Sequence, residues 1–290
     1  MNKIYNSGIV VKAITKDDKV IPVQDVRSVK PHLLVGGDGD LDIGGVVQPI
    51  DVFVYKRKKN ENRLEYFAPN LIAISLSTAF EALSKAKNIY DELIDFEKYE
   101  HGGYSDIESV KIKTGFIYDY IQEIQKASVF GYTAIETFYN LSIPDGYSYE
   151  LKKNKRGIVE IYDKLAIERW LTLKDKVALI LKDIYSTKNP KSQKWWNNFC
   201  ELETIRHNII HPKTISSHEL YKNYFDKNIF DKLKVPVEVI EFFEKSMIDN
   251  NQLHDFLPWT DLGMKYNKLK VMKSGNVEIT GNIHNCSFEK

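Results

Sequence analysis

Pro69 divides this chain more sharply than any other residue, because the spacing of apolar side chains changes across it. Before it, apolar and polar residues alternate and are punctuated by Gly and Asp; after it, apolar residues recur every three or four positions. A period of two belongs to a strand and one near 3.6 to a helix, so a β-rich segment must precede a helical body. Residues 8–13, 20–26, 33–36, 46–55 and 63–67 are the expected strands, separated by turn-forming Lys-Asp-Asp-Lys, Gly-Asp-Gly-Asp and Lys-Asn-Glu-Asn runs. Near the other end, residues 268–272 and 276–280 flank Lys273-Ser274-Gly275, a hairpin signal that returns the chain to its first strands. The expected architecture is mainly α: a helical bundle over 69–260, with a small antiparallel β annex from 1–68 and a C-terminal extension over 261–290.

The helical body reads as successive amphipathic stripes. Leu76, Ala79, Leu83, Ala86, Tyr90 and Leu93 mark a helix of roughly seven turns from Asn70, which Gly102-Gly103 stops. Ser105 with Glu108 offers a capping box for a second helix, carried on by Ile117, Ile121, Ile124, Ser128, Gly131, Ile135 and Phe138 up to Pro144. Val110 and Ile112 alternate like a strand and blur its start. Thr172 with Asp175 opens a third, burying Leu173, Val177, Ile180, Leu181 and Ile184. Pro190 suits the first turn of a fourth, whose buried side is Trp195, Phe199, Leu202, Ile205 and Ile209. Pro212 ends it by disfavouring the helical conformation at His211. Ser216 with Glu219 opens another, and Val239, Ile240, Phe243 and Met247 mark a last helix after Pro236.

Composition narrows the function classes. With 41 basic residues against 40 acidic ones the formal charge is +1, which lacks the general excess of a protein that coats nucleic acid, so any RNA contact is local. Two basic stretches offer such contacts, Lys56-Arg57-Lys58-Lys59 and Lys152-Lys153-Asn154-Lys155-Arg156, although runs of this kind ordinarily form solvated turns. No apolar run approaches the roughly 18 residues of a membrane helix, and the first residues carry no apolar signal core, so a cytoplasmic chain without membrane partners is expected. Cys200 and Cys286 have no paired spacing, and Cys200 reads as a small helix-packing residue.

Chemistry concentrates in residues 201–212, Glu-Leu-Glu-Thr-Ile-Arg-His-Asn-Ile-Ile-His-Pro. At about 100° per residue Glu203, His207 and His211 fall within roughly 80° of one another, forming one polar stripe. Arg206 lies about 140° from His211 on an ideal helix, so its long stem, the helix end at Pro212 or a second protomer must bring the two groups together. Two such helices paired across a two-fold axis would offer a composite pocket of duplicated Arg and His side chains.

Arg206-His207-Asn208-Ile209-Ile210-His211 resembles the R-x4-H motif of the HEPN superfamily, in which a polar residue directly follows the arginine, as His207 does here. The resemblance spans residues 70–255, where the order of helices also matches, and Glu136 on an earlier helix is the candidate for the polar residue that faces the motif. It implies a metal-independent, cofactor-free endoribonuclease acting on RNA as a homodimer, in a toxin–antitoxin or anti-phage defence role, with an antitoxin or regulatory protein as a further partner. In that reading His211 and Arg206 are catalytic, and His207, Asn208, Glu136 and Glu203 hold substrate. His211 moves a proton as the RNA 2′-hydroxyl attacks its phosphate, and Arg206 stabilises the phosphorane, giving 2′,3′-cyclic phosphate ends. The acid role suits His211 better than the base role, because the carbonyl end of a helix concentrates negative potential.

Three other readings use the same residues. His207 and His211 have the i, i+4 spacing of a helical zinc site and Glu203 extends the line, but Asn208 stands where a zincin needs glutamate. A non-catalytic adaptor would use the stripe only to bind a nucleotide or protein. In the plainest reading Arg206 pairs with Glu203 and His211 caps the helix carbonyls. Asp38-Gly39-Asp40-Leu41-Asp42 fails as a calcium loop, since Ile43 and Pro49 occupy the positions that require Gly and Glu, and reads as a turn.

Overall fold

The computed structural model describes residues 7–13, 25–35, 45–57, 60–101, 106–153, 158–212, 221–260, 271–273 and 278–282. It is mainly helical with small β-sheets, and divides into two compact units, 1–74 with 247–290, and 75–246. Among the described residues no helix is long and apolar enough to cross a membrane.

The first unit holds a six-stranded sheet made from both ends of the chain. Its strands are β1 (Ser7–Ala13), β2 (His32–Val35), β3 (Gly45–Arg57) and β4 (Asn60–Phe67). In the order β7-β2-β3-β1-β8, with β4 paired to β3, the C-terminal strands β7 (Val271–Lys273) and β8 (Glu278–Asn282) take opposite edges. The expected C-terminal hairpin is therefore absent: β7 and β8 do return to the first strands, but each lies parallel to its neighbour, β2 and β1 respectively. The sheet is mixed rather than wholly antiparallel. The turn signal acts over a few residues, whereas the free ladder groups along two separate edges decide where each strand settles. The strand expected over 20–26 falls mostly outside the described residues, as does the Asp38–Asp42 turn, and residues 26–27 form a turn.

That turn anchors the chain leading to the helical body. Asp25 accepts bonds from the Arg27 backbone N–H and guanidinium, which hold its carboxyl at about 2. Val29 N–H donates to Ala68 O at 2.8 Å and Asn70 N–H to Arg27 O at 2.8 Å. The side chain of Asn70 then caps the first helix, accepting from Ala73 N–H at 2.9 Å while its amide donates to Phe256 O.

Helix α1 (Leu71–Ile89), which belongs to the second unit from Ser75 onward, runs on into a π-turn over Tyr90–Ile94. Leu76, Ala79, Leu83, Ala86 and Tyr90 are buried as the stripe requires, but Leu93 is exposed and Ile94 is buried instead, because the wider turn rotates the stripe by one residue. Helix α2 (Ile107–Ser142) starts one position later than the capping box predicts: Asp106 accepts from Ser109 N–H, and Val110 and Ile112 are helical. Gly102, Gly103 and Ser105 lie outside the described residues.

A hairpin of β5 (Ser148–Lys153) and β6 (Ile158–Asp163) follows, where the sequence reading places only a basic turn. Its alternating apolar residues Val159 and Ile161 are exposed, and Tyr149, Leu151 and Tyr162 on the other face are only half-buried, so the strands carry a weak alternation signal. Helix α3 (Lys164–Trp170) leads to Thr172, whose hydroxyl caps the next segment at Asp175 as expected. That segment is α4 (Leu173–Asp175), a π-turn (Lys176–Ile180) and α5 (Leu181–Ile184) in succession. A 3-10 turn at Pro190–Ser192 precedes α6 (Trp196–Ile210). The last helix, α7 (Ile229–Asp249), starts before Pro236 rather than at it. Pro236 cannot donate to the preceding turn, yet it fits against α2 at Gly131, where an added Cβ would stand 3.0 Å from its Cγ. Phe138 and Phe243 meet at 6.0 Å between ring centres, and Trp195 meets Phe242 edge-on at 5.5 Å. The candidate helix at Ser216 lies outside the described residues.

Candidate functional site

Helix α6 buries Phe199, Leu202 and Ile205 and packs against α2. Glu203, Arg206 and His207, on the adjoining part of its surface, enter the wall of a cavity of about 590 Å³. Helix α2 contributes Tyr132 and Glu136, four residues apart and so on one face. The opposite wall comes from the end of α3 and the capped segment after it, through Glu168, Arg169, Leu171, Thr172, Leu173, Lys174 and Lys176.

The charges in this cavity are paired unequally. Glu203 forms an ion pair with Lys174 at 2.8 Å and accepts a long hydrogen bond from the Tyr132 hydroxyl at 3.4 Å. The bond to Glu203 raises the Lys174 ammonium above its ordinary range; burial, and then Glu203, raise the Tyr132 phenol. Among the described residues Arg206 has no ion-pair partner. Its guanidinium carbon lies 4.9 Å from the centre of the Tyr132 ring, and its Nε is sealed from solvent without a hydrogen-bond partner. Lys176 is only 4% exposed, donates to Glu168 O at 2.7 Å and stands 4.9 Å above the Tyr139 ring. Burial pushes its ammonium pKa down, against the opposing pull of Glu136 and Glu168.

Of the six residues singled out by sequence, four line this cavity: Glu136, Glu203, Arg206 and His207. His211 does not. It is exposed where α6 ends, its backbone N–H donates to His207 O at 2.9 Å, and its ring centre is 5.1 Å from that of His207. His207 thus connects the cavity wall to His211 through ring contact. Asn208 is half-buried and does not line the cavity. The plain pairing of Arg206 with Glu203 does not occur, since Lys174 takes that carboxylate. Among the described residues no three of His, Cys, Asp and Glu converge in a metal-ligating group, so Glu203, His207 and His211 do not close into one.

Sequence reasoning missed the far wall. Lys174 lies within a capping box and Lys176 just after it, so both look like ordinary helix charges, and Tyr132 looks like core; only the meeting of α2, α6 and this segment joins them. The lining carries four cations, Arg169, Lys174, Lys176 and Arg206, against three acids, Glu136, Glu168 and Glu203; with Lys174 held by Glu203, Arg206 is the cation that an anion in the cavity could engage, and the carboxylate of Glu136 can accept bonds from a ligand's donor groups. Comparison with protein-family models, with curated proteins and with solved structures gives no match.

Proposed function

We propose that this chain is a metal-independent endoribonuclease of HEPN type, acting in a toxin–antitoxin or anti-phage role. The observation that carries the reading is an arginine without an ion pair facing a cavity, followed directly by a histidine whose ring touches that of His211. A guanidinium keeps its proton and can bind two phosphate oxygens, so Arg206 stabilises the charge that builds when a 2′-hydroxyl attacks its own phosphate. The attacking 2′-hydroxyl releases its proton to solvent as its oxygen bonds to phosphorus, His211, exposed at the helix end, gives a proton to the leaving 5′-oxygen, and His207 orients the phosphate between them. The products carry 2′,3′-cyclic phosphate and 5′-hydroxyl ends. A homodimer brings a second His211 towards the site, and an antitoxin or regulatory protein restrains it.

The test is incubation of the pure chain with mixed RNAs in chelator, followed by end-group analysis. Cleavage that disappears in Arg206→Ala and His211→Ala, with both variants folded, supports the reading; undiminished cleavage by either variant overturns that residue's assignment.

A non-catalytic nucleotide- or protein-binding adaptor is the second reading, favoured by one observation: His211 stands outside the cavity that Arg206 lines. An adaptor binds nucleotide in chelator without turnover and loses binding, rather than cleavage, on Arg206→Ala.

A further inference from the structure

We propose that the β3–β4 ribbon is an arm that binds single-stranded nucleic acid. The first residues of β3 sit between β1 and β2, paired over 45–49. From Ile50 onward β3 pairs only with β4, through eight positions ending at Arg57 opposite Asn60. At about 3.3 Å per residue this two-stranded ribbon is roughly 25 Å long. A two-stranded ribbon is marginal in water without something against its apolar face.

That face is aromatic and open. Phe53 lies opposite Leu64 and Asp51 opposite Tyr66, and Tyr55 is two positions beyond Phe53, so Phe53, Tyr55, Leu64 and Tyr66 share one side. Their exposures are 43%, 55%, 61% and 42%, well above what a ribbon packed on its own chain would leave. Rings displayed side by side on a strand pair form the platform on which unpaired bases stack, and stacking accepts any base because each has a π-face.

Charge selects the occupant. Residues 50–67 hold five cations against three acids, and four of the cations, Lys56, Arg57, Lys58 and Lys59, are consecutive where β3 ends. Lys58 and Lys59 lie outside the described residues. The only acid on the aromatic face is Asp51, at the opposite end of the ribbon. A row of rings leading to a cationic end suits a strand that presents stacked bases and a phosphate backbone together, and suits a second copy of the same cationic ribbon poorly. The arm shares no residue with the α6 cavity, so it does not rest on the nuclease reading.

The experiment is fluorescence anisotropy of the full chain with a labelled 2′-O-methyl oligouridylate of about 12 nucleotides, whose blocked hydroxyls prevent cleavage and so separate binding from catalysis. Binding that weakens about tenfold for each ring removed in Tyr55→Ala and Tyr66→Ala is expected. Lys58→Ala with Lys59→Ala should lower the slope of log affinity against log salt by roughly 1.4. Circular dichroism establishes that the variants fold. Wild-type-like binding by the folded tyrosine variants overturns the proposal, as does tighter binding to a duplex of the same length. A tyrosine variant that turns a sedimenting dimer into a monomer with binding unchanged would make the face a self-association surface instead.

Discussion

Lys174 and Glu203 meet at 2.8 Å across the candidate cavity, and this pair keeps Arg206 from the acid three residues before it. Helical spacing alone would join Arg206 to Glu203. Lys174 supplies a nearer cation from another segment, and Arg206 turns over the Tyr132 ring.

Lys174→Ala should therefore impair function more than folding. Glu203 loses its partner and draws Arg206 away from bound anion, so anion affinity or RNA cleavage should fall about tenfold. Lys174 is 37% exposed, and solvent screening holds the stability change below about 1 kcal/mol. Urea melts beside binding isotherms check both halves. A loss of stability with unchanged binding would show that the pair merely braces α6.

The pH dependence of stability should expose Lys176. Its folded pKa is lowered from the ordinary 10.5 by burial. Below the lowered value both states carry the proton, and the folded state bears the full cost of a buried cation. Between that value and 10.5 the unfolded chain binds more protons than the folded one, so stability rises with pH. Lys176→Met should be at least as stable as the wild type at neutral pH, and its advantage should shrink as pH rises towards 10.5. Denaturant titrations across that window measure the difference; an advantage that grows with pH contradicts the assignment.

Two glycines of α2 should respond oppositely to alanine. Gly115 has nothing within 4 Å of an added Cβ, so Gly115→Ala gains helix propensity and should stabilise by up to about 1 kcal/mol. At Gly131 the added Cβ would meet Pro236 Cγ at 3.0 Å, and crowding of about 1–3 kcal/mol outweighs the propensity gain. Chemical denaturation of the two variants gives the comparison. Stabilisation by Gly131→Ala would mean that α7 shifts freely at its proline.

Phe199→Ala should be among the most damaging changes in α6. The ring is fully buried and meets Trp195 edge-on at 6.3 Å, so its removal should cost about 3–5 kcal/mol. A thermal melt would register this as a large fall in Tm, whereas replacement of the exposed Asn197 should leave it nearly unchanged.

Elements governed by near neighbours were readable in advance. Thr172 with Asp175 forms the cap that its spacing implies, Phe199, Leu202 and Ile205 are buried on one side of α6, and that helix stops before Pro212. Less local features were not. The π-turn that exchanges Leu93 for Ile94 changes the period within a single helix, and the β5–β6 hairpin leaves the apolar Val159 and Ile161 exposed. The course of α7 through Pro236 depends on a gap at Gly131, more than a hundred positions away in the chain.

The same division runs through the candidate site. The chain's order alone determines that Glu203, Arg206, His207 and His211 fall near the end of one helix, because helix geometry and the proline act over single turns. Tertiary structure decides that Lys174 rather than Arg206 holds Glu203, that Arg206 rests on Tyr132, that His211 lies outside the cavity, and that β7 and β8 take opposite edges of a sheet. Those outcomes compare contacts between distant segments, whose free energies depend on which surfaces pack, and no periodicity along the chain encodes that comparison.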